Sequence, residues 1–211
     1  MTMTIESGPI GGIPAYGLNF GCSTNPDAIF DLPSQFDFYE GGGLDITFVG
    51  FGEADQHGNI NVSRLPKRYP GIGGFIHVTQ PTGKVVFCGS FTAAGLNVKI
   101  EGDQVKIIQE GKIKKFVDQV KEITFSGDYA REKGQPVLIA TERAVFELRE
   151  EGMVLTEVAP GIDLERDILG QMEFKPIIAE DLKEMPPEIF MEKQTRDSFH
   201  NLNLKEKFNR L

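Results

Sequence analysis

Apolar and polar positions along this chain alternate in short runs, so the pattern predicts many brief strands and few helices. Phe36-Asp37-Phe38-Tyr39 alternates and is aromatic, a strand signal that runs into Glu40-Gly41-Gly42-Gly43. Leu44 to Gly52 is almost wholly apolar and β-favouring, as in a strand buried on both faces, and Val85-Val86-Phe87-Cys88-Gly89 predicts another. Between them, Glu53 to Arg64 is polar and predicts a loop. Tyr69 to Phe75 predicts a second loop, followed by an apolar segment whose period is ambiguous.

From Asn97 to Phe116 the turns at Glu101-Gly102-Asp103 and Glu110-Gly111-Lys112 separate three alternating runs, Val98–Ile100, Val105–Ile108 and Ile113–Phe116. That is the signature of an antiparallel meander with one face wet. Val137–Ala140, Ala144–Leu148 and Val154–Val158 predict three more strands. Helices are expected over Asn25 to Asp31, with Asn25 or Asp27 near the start, and over Leu164 to Met172, started by Asp163. The reading is an α/β fold with a mixed open sheet and an antiparallel meander. Its helices are too few to cover both faces, so another domain or chain is expected to cover part of the sheet. Arg196 to Leu211 is charged and weakly amphipathic, an appended tail or arm after a domain spanning 1–190.

Composition narrows the partners. With 211 residues, 40% of them hydrophobic, the chain can bury one substantial core. The net charge of −9 argues against nonspecific binding to nucleic acid or to an anionic membrane. No apolar run approaches the ~18 residues of a membrane span, and Met1-Thr2-Met3-Thr4 lacks the features of a signal peptide. Cys22 and Cys88 read as reduced thiols in a cytoplasmic protein. His57, His77 and His200 show no zinc-ligand spacing, and no metal site is expected. Glycine is the unusual number, at 24, and it clusters in the first hundred residues, where loops would let backbone amides line a ligand site.

Candidate chemistry gathers in those loops. Glu6 ends the β-branched run Thr4-Ile5 and enters Ser7-Gly8-Pro9-Ile10-Gly11-Gly12-Ile13-Pro14, a turn of three glycines and two prolines. A carboxylate there can act as a nucleophile or as an acid/base, although most loop carboxylates simply face solvent. Asn59 carries an amide able to donate to a carbonyl oxygen, and Gly73-Gly74 offers unobstructed backbone N–H groups for an oxyanion. Gly58-Asn59 is equally a common turn pair. Neither a dinucleotide fingerprint nor a P-loop is present. The loops after Ile5, after Phe51 and around Gly71–Gly74 are expected to converge outside the strand ends.

The order of these motifs carries a resemblance. Ile5-Glu6-Ser7-Gly8-Pro9-Ile10-Gly11-Gly12 is followed by Tyr39-Glu40-Gly41-Gly42-Gly43-Leu44-Asp45 and Gly50-Phe51-Gly52-Glu53-Ala54-Asp55. His57-Gly58-Asn59-Ile60-Asn61-Val62-Ser63, Gly71-Ile72-Gly73-Gly74-Phe75 and Ala159-Pro160-Gly161-Ile162-Asp163-Leu164 come next, in that order. Over roughly residues 3 to 190 the chain resembles the C-terminal, catalytic-glutamate half of the family I coenzyme A transferases, in the acetate/propionate branch.

The resemblance implies a NagB/RpiA/CoA-transferase-like half and casts Glu6 as the carboxylate that becomes a glutamyl-CoA thioester. It implies that Asn59 touches the reacting carbonyl or orients the glutamate, and that Gly73 and Gly74 belong to the CoA/oxyanion loop. It implies Lys84 as a contact to coenzyme A, a position that an exposed turn lysine would equally fill. Substrates would be an acyl-CoA and a short-chain carboxylate, with coenzyme A a substrate and no cofactor required. The family works with two related halves, so an N-terminal half, fused or separate, and a homo- or hetero-oligomer are expected. An acyl-CoA hydrolase and a noncatalytic CoA-binding partner subunit are the alternatives.

Overall fold

The computed structural model describes residues 1–66 and 68–191. The charged tail anticipated from Arg196 onward lies outside the described residues. The centre is a six-stranded sheet. Its strands, in chain order, are β1 (Thr47–Gly50), β2 (Val85–Cys88), β3 (Val137–Ala140), β4 (Ala144–Arg149), β5 (Gly152–Val158) and β6 (Ile177–Glu184). They lie side by side in the order β6-β5-β4-β3-β2-β1. β1, β2 and β3 are parallel, β3-β4-β5 is antiparallel, and β6 rejoins parallel to β5. The sheet is mixed and open, as the sequence predicts.

One face of this sheet carries the core. Phe87, Phe91, Phe116, Phe125 and Phe146 are at most 1% exposed and pack with Ile60, Ile139, Leu155 and Ile168. Burying each such ring is worth roughly 1.5–3 kcal/mol, so this cluster dominates the fold's stability. Three short helices flank it, α1 (Leu32–Glu40), α2 (Phe75–Thr79) and α3 (Gly127–Glu132).

Several predicted elements are corrected. Phe36–Tyr39 lies inside α1, where Gln35 and Tyr39, four residues apart, are the buried positions. The alternation there was a helix with one narrow buried stripe, read at the wrong period. The helix foreseen over Asn25–Asp31 is absent. Ala28–Ile29 instead pairs antiparallel with Pro9–Ile10, and Asp31 caps α1 by accepting from Ser34 N–H at 3.1 Å. Asp31, with Pro33 just inside the helix, is the start signal that the earlier Asn25 and Asp27 mimicked. β1 is an edge strand with Phe48 53% exposed, so the Leu44–Gly52 run is not buried on both faces. Thr4-Ile5 forms no strand, only an isolated bridge from Thr4 to Ile10.

The meander is half present: Asn97–Glu101 pairs with Gln104–Gln109 as foreseen, but Ile113–Lys114 turns away to pair with Thr92–Ala93. Asp163 does cap a helical segment, which is a π-turn over Leu164–Ile168 followed by a 3-10 turn over Leu169–Gln171.

Candidate active site

Glu6 stands at the tip of a tight turn. Ile5 N–H donates to Pro9 O at 3.0 Å, and Gly8 N–H donates to Ile5 O at 2.9 Å. Gly8 adopts φ +123°, and a methyl group on it would sit 2.1 Å from Phe30 O, so only glycine closes this turn. Ser7 hydroxyl reaches Gly21 O across the arm that follows. The turn is therefore shaped by its own backbone, while Glu6 itself remains exposed.

Helix α1 holds the strand of chain that leads into Glu6. Tyr39 hydroxyl donates to Thr4 Oγ1 at 2.7 Å and accepts from Gln35 Nε2 at 2.6 Å. Gln35 Nε2 also points at Ile5 O, at 3.5 Å. Both Gln35 and Tyr39 are 1% exposed. Buried polar groups persist where they are mutually satisfied, and here the satisfied partners are the two residues immediately before Glu6.

The glycine loop closes on the same carboxylate. A methyl group placed on Gly74 would lie 2.8 Å from Glu6 Oε2 and 2.4 Å from the Phe36 ring, so Glu6 rests against bare backbone. Phe36 in turn meets His77 edge-on at 5.3 Å, and His77 pairs with Glu40, which fastens α2 to α1. Among the described residues, no protein acceptor takes the N–H of Gly73 or Gly74. Gly73, at φ +56°, has nothing within 4 Å of where a side chain would start. Phe75, the next residue, stacks on Phe87 with ring centres 5.9 Å apart, which sets the loop at the carboxyl end of β2. A carboxylate against a glycine loop with unclaimed amides is an arrangement suited to nucleophilic attack on a carbonyl whose oxygen such amides would hold.

Two other expected residues are not joined to Glu6. Asn59 is buried, its Nδ2 donating to Asp55 Oδ2 at 3.1 Å and its Oδ1 accepting from Gly127 N–H at 3.0 Å. It braces the 55–59 turn against the start of α3, and no hydrogen bond links it to Glu6 among the described residues. Much of the predicted polar loop behaves this way: Glu53, Asp55, Asn61 and Ser63 are buried as well, while Gln56, His57 and Arg64 stay exposed, and Glu53–Ala54 pairs with Ile60–Asn61. Of the three loops expected to converge, the first and third meet, whereas the second folds into the core. Lys84 lies where β1 and β2 begin, its carbonyl accepting from Thr47 N–H at 3.0 Å. The length of α2 separates it from Gly74.

Gln35, Phe36 and Thr4 went unrecognised in the sequence. The usable signal was the i, i+4 pair Gln35/Tyr39 behind a helix start at Asp31-Leu32-Pro33-Ser34. Among the described residues, no group of three or more His, Cys, Asp or Glu side chains is placed to hold a metal ion. No helix among them is long and apolar enough to cross a membrane.

The geometry can be set beside known proteins. No family model matches the chain. It is 48% identical over 190 residues to the acetate CoA-transferase YdiF of Escherichia coli K12, covering 90% of this chain and 36% of that protein. It is 50% identical over 198 residues to the caffeate CoA-transferase of Acetobacterium woodii, covering 92% and 38%. The chain belongs to the coenzyme A transferases.

It spans little more than a third of the length of those two CoA-transferases. It is also 31% identical over 176 residues to the acetate CoA-transferase subunit beta of Haemophilus influenzae, covering 83% of this chain and 66% of that subunit. The crystal structure of the acyl-CoA transferase YdiF apoenzyme from E. coli O157:H7 superposes with a TM-score of 0.85 at 46% identity, covering 91% of this chain and 36% of that one. A thioester complex of the same CoA-transferase with CoA matches at 0.84, with 46% identity over 90% and 36% of the two chains. The chain therefore corresponds to one CoA-transferase half, and its mixed six-stranded sheet with few helices is the fold of that half.

Proposed function

We propose that this chain is the catalytic half of a CoA-transferase that moves coenzyme A from an acyl-CoA to a short-chain carboxylate, with Glu6 as the nucleophile. The observation that carries the reading is the seating of the Glu6 carboxylate against Gly74, in a loop where no protein acceptor among the described residues takes the N–H of Gly73 or Gly74.

Glu6 attacks the acyl-CoA carbonyl, the C–S bond breaks, and CoA leaves as the thiolate, giving an acyl-glutamyl anhydride. The thiolate then attacks the glutamyl carbonyl, the C–O bond breaks, and the first carboxylate departs, leaving a glutamyl-CoA thioester. A second carboxylate runs the steps in reverse. One thioester replaces another, so no external energy source is needed, and the kinetics are ping-pong. At each tetrahedral stage the negative oxygen would be met by the glycine amides, each such donor being worth roughly 2.7–4 kcal/mol in related chemistry.

Both intermediates hydrolyse if water reaches them, yet Glu6 is exposed here. An N-terminal half, fused or separate, would supply the missing wall. Its footprint would include the arm after Glu6, where Ile13, Tyr16, Leu18, Phe20 and Ile29 are each at least 72% exposed.

The chain, with an N-terminal-half partner and propionyl-CoA, is expected to gain a CoA-sized covalent mass that hydroxylamine removes and that Glu6→Ala abolishes. An adduct that survives in Glu6→Ala, or no adduct with the partner bound, overturns the assignment. Steady release of CoA with no acceptor acid present would instead mark a hydrolase.

A further inference from the structure

Lys115 is the side chain that the fold and the proposed chemistry leave unexplained. It is 6% exposed, and its ammonium lies over the Phe51 ring, 3.6 Å from the centroid. Nζ also presses on Gly89, where an added methyl group would come within 2.8 Å of it and 3.1 Å of the Phe51 ring edge. Among the described residues, Nζ has no hydrogen-bond acceptor and no carboxylate within ion-pair distance. Glu142 is the nearby acid, but Arg143 Nε takes its Oε1 at 2.7 Å and Phe91 N–H takes its Oε2 at 2.9 Å. Burial lowers the lysine's pKa to about 8 against a partial offset from Glu142. A buried cation with three unused donors and aromatic walls is an arrangement that an anion completes. Phe51 follows β1 and Gly89 follows β2, so this ammonium stands at the same carboxyl edge of the sheet as Gly74.

We infer that Lys115, between Phe51 and Gly89, is a binding subsite for a small aliphatic monocarboxylate, whose oxygens accept from Nζ while its alkyl chain lies along Phe51. Inorganic phosphate fits this subsite less well, because one ammonium beside an aromatic wall cannot satisfy a doubly charged, strongly hydrated anion. The inference deepens the CoA-transferase reading by naming a seat for the acid, yet it can be tested without turnover.

The full-length chain, labelled with 15N-lysine, is titrated with sodium propionate while the Lys115 Nζ signal is followed, with sodium phosphate and sodium chloride at equal ionic strength as the other arms. Propionate is expected to shift that signal saturably, and Lys115→Met to weaken propionate binding, read by calorimetry, at least about tenfold. No saturable shift, an equal response to phosphate or chloride, or unchanged affinity in Lys115→Met overturns the subsite. The two readings fail separately: no saturable propionate shift in a chain that still forms the CoA adduct overturns the subsite alone, and no adduct in a chain that still binds propionate overturns the transfer mechanism alone.

Discussion

Tyr39 spends its hydroxyl twice, once on Gln35 in a buried bond and once, in a part-buried bond, on Thr4, two residues before the candidate nucleophile. Deleting that oxygen leaves Gln35 Nε2 and Thr4 Oγ1 short of a partner, a loss of about 1–3 kcal/mol in groups that cannot reach water easily. Tyr39→Phe is therefore expected to fold but to hold Glu6 loosely. Rapid-quench mass spectrometry of the CoA adduct should show its formation slowed about tenfold at saturating propionyl-CoA, the equivalent of ~1.4 kcal/mol at the transition state. Formation at the parental rate would show that the Thr4–Tyr39–Gln35 chain is only a structural filler. Glu6, Gly73 and Gly74 were legible as candidates because carboxylates and paired glycines announce their chemistry. Gln35 and Tyr39 were not, since their importance lies in whom they touch across thirty or more positions of chain.

Elements matter here through their ends. α2 is only five residues long, but it begins at Gly74, and its His77 is tied to Glu40 at the end of α1. The two helices therefore clamp the glycine loop onto the turn that α1 also anchors. Gly74→Ala drives a methyl group against both Phe36 and Glu6 Oε2. Its own backbone, at φ −81°, tolerates alanine, so the cost to stability is confined to moving the Phe36 ring, about 1–3 kcal/mol. The displaced carboxylate should lower the rate of adduct formation by about a hundredfold, as misplacements near 1 Å do. A rate within threefold of the parent protein would place Glu6 productively elsewhere. The missed helix at Phe36–Tyr39 belongs to this scale as well. Four residues alternate equally well as a strand or as a turn of helix, and only the Asp31 cap, five residues upstream of Phe36, distinguishes them.

Across the whole molecule, one aromatic core holds the sheet while charged groups are buried around it on unequal terms. Arg143 is fully buried but bonded to Glu110, Glu142 and Asp167 O, so its charge is compensated. Lys115 has no such partner, and its pKa falls from 10.5 to about 8, burial being the main cause. Between those two values the unfolded chain binds more proton than the folded one, so this lysine's contribution to stability rises with pH through that window. Lys115→Met lacks the effect. Urea unfolding from pH 7 to pH 10.5 should show the variant's advantage shrinking by on the order of 3 kcal/mol as pH rises from about 8. A difference that stays flat with pH would mean that the ammonium is solvated in the fold.

Short β-favouring runs and clustered glycines were enough to determine the fold class, and the order of six motifs, through its resemblance to coenzyme A transferases, pointed to the family and to Glu6 as the candidate, because each motif is written in contiguous residues. Tertiary structure decided what those residues face. It brought Gly74 to Glu6 across sixty-eight positions, drew Asn59 and its loop into the core, and left Lys84 at the far end of α2. It also stranded an ammonium over Phe51. Such outcomes depend on packing between distant segments, where burial energy outweighs local preference, and no window of sequence contains both partners.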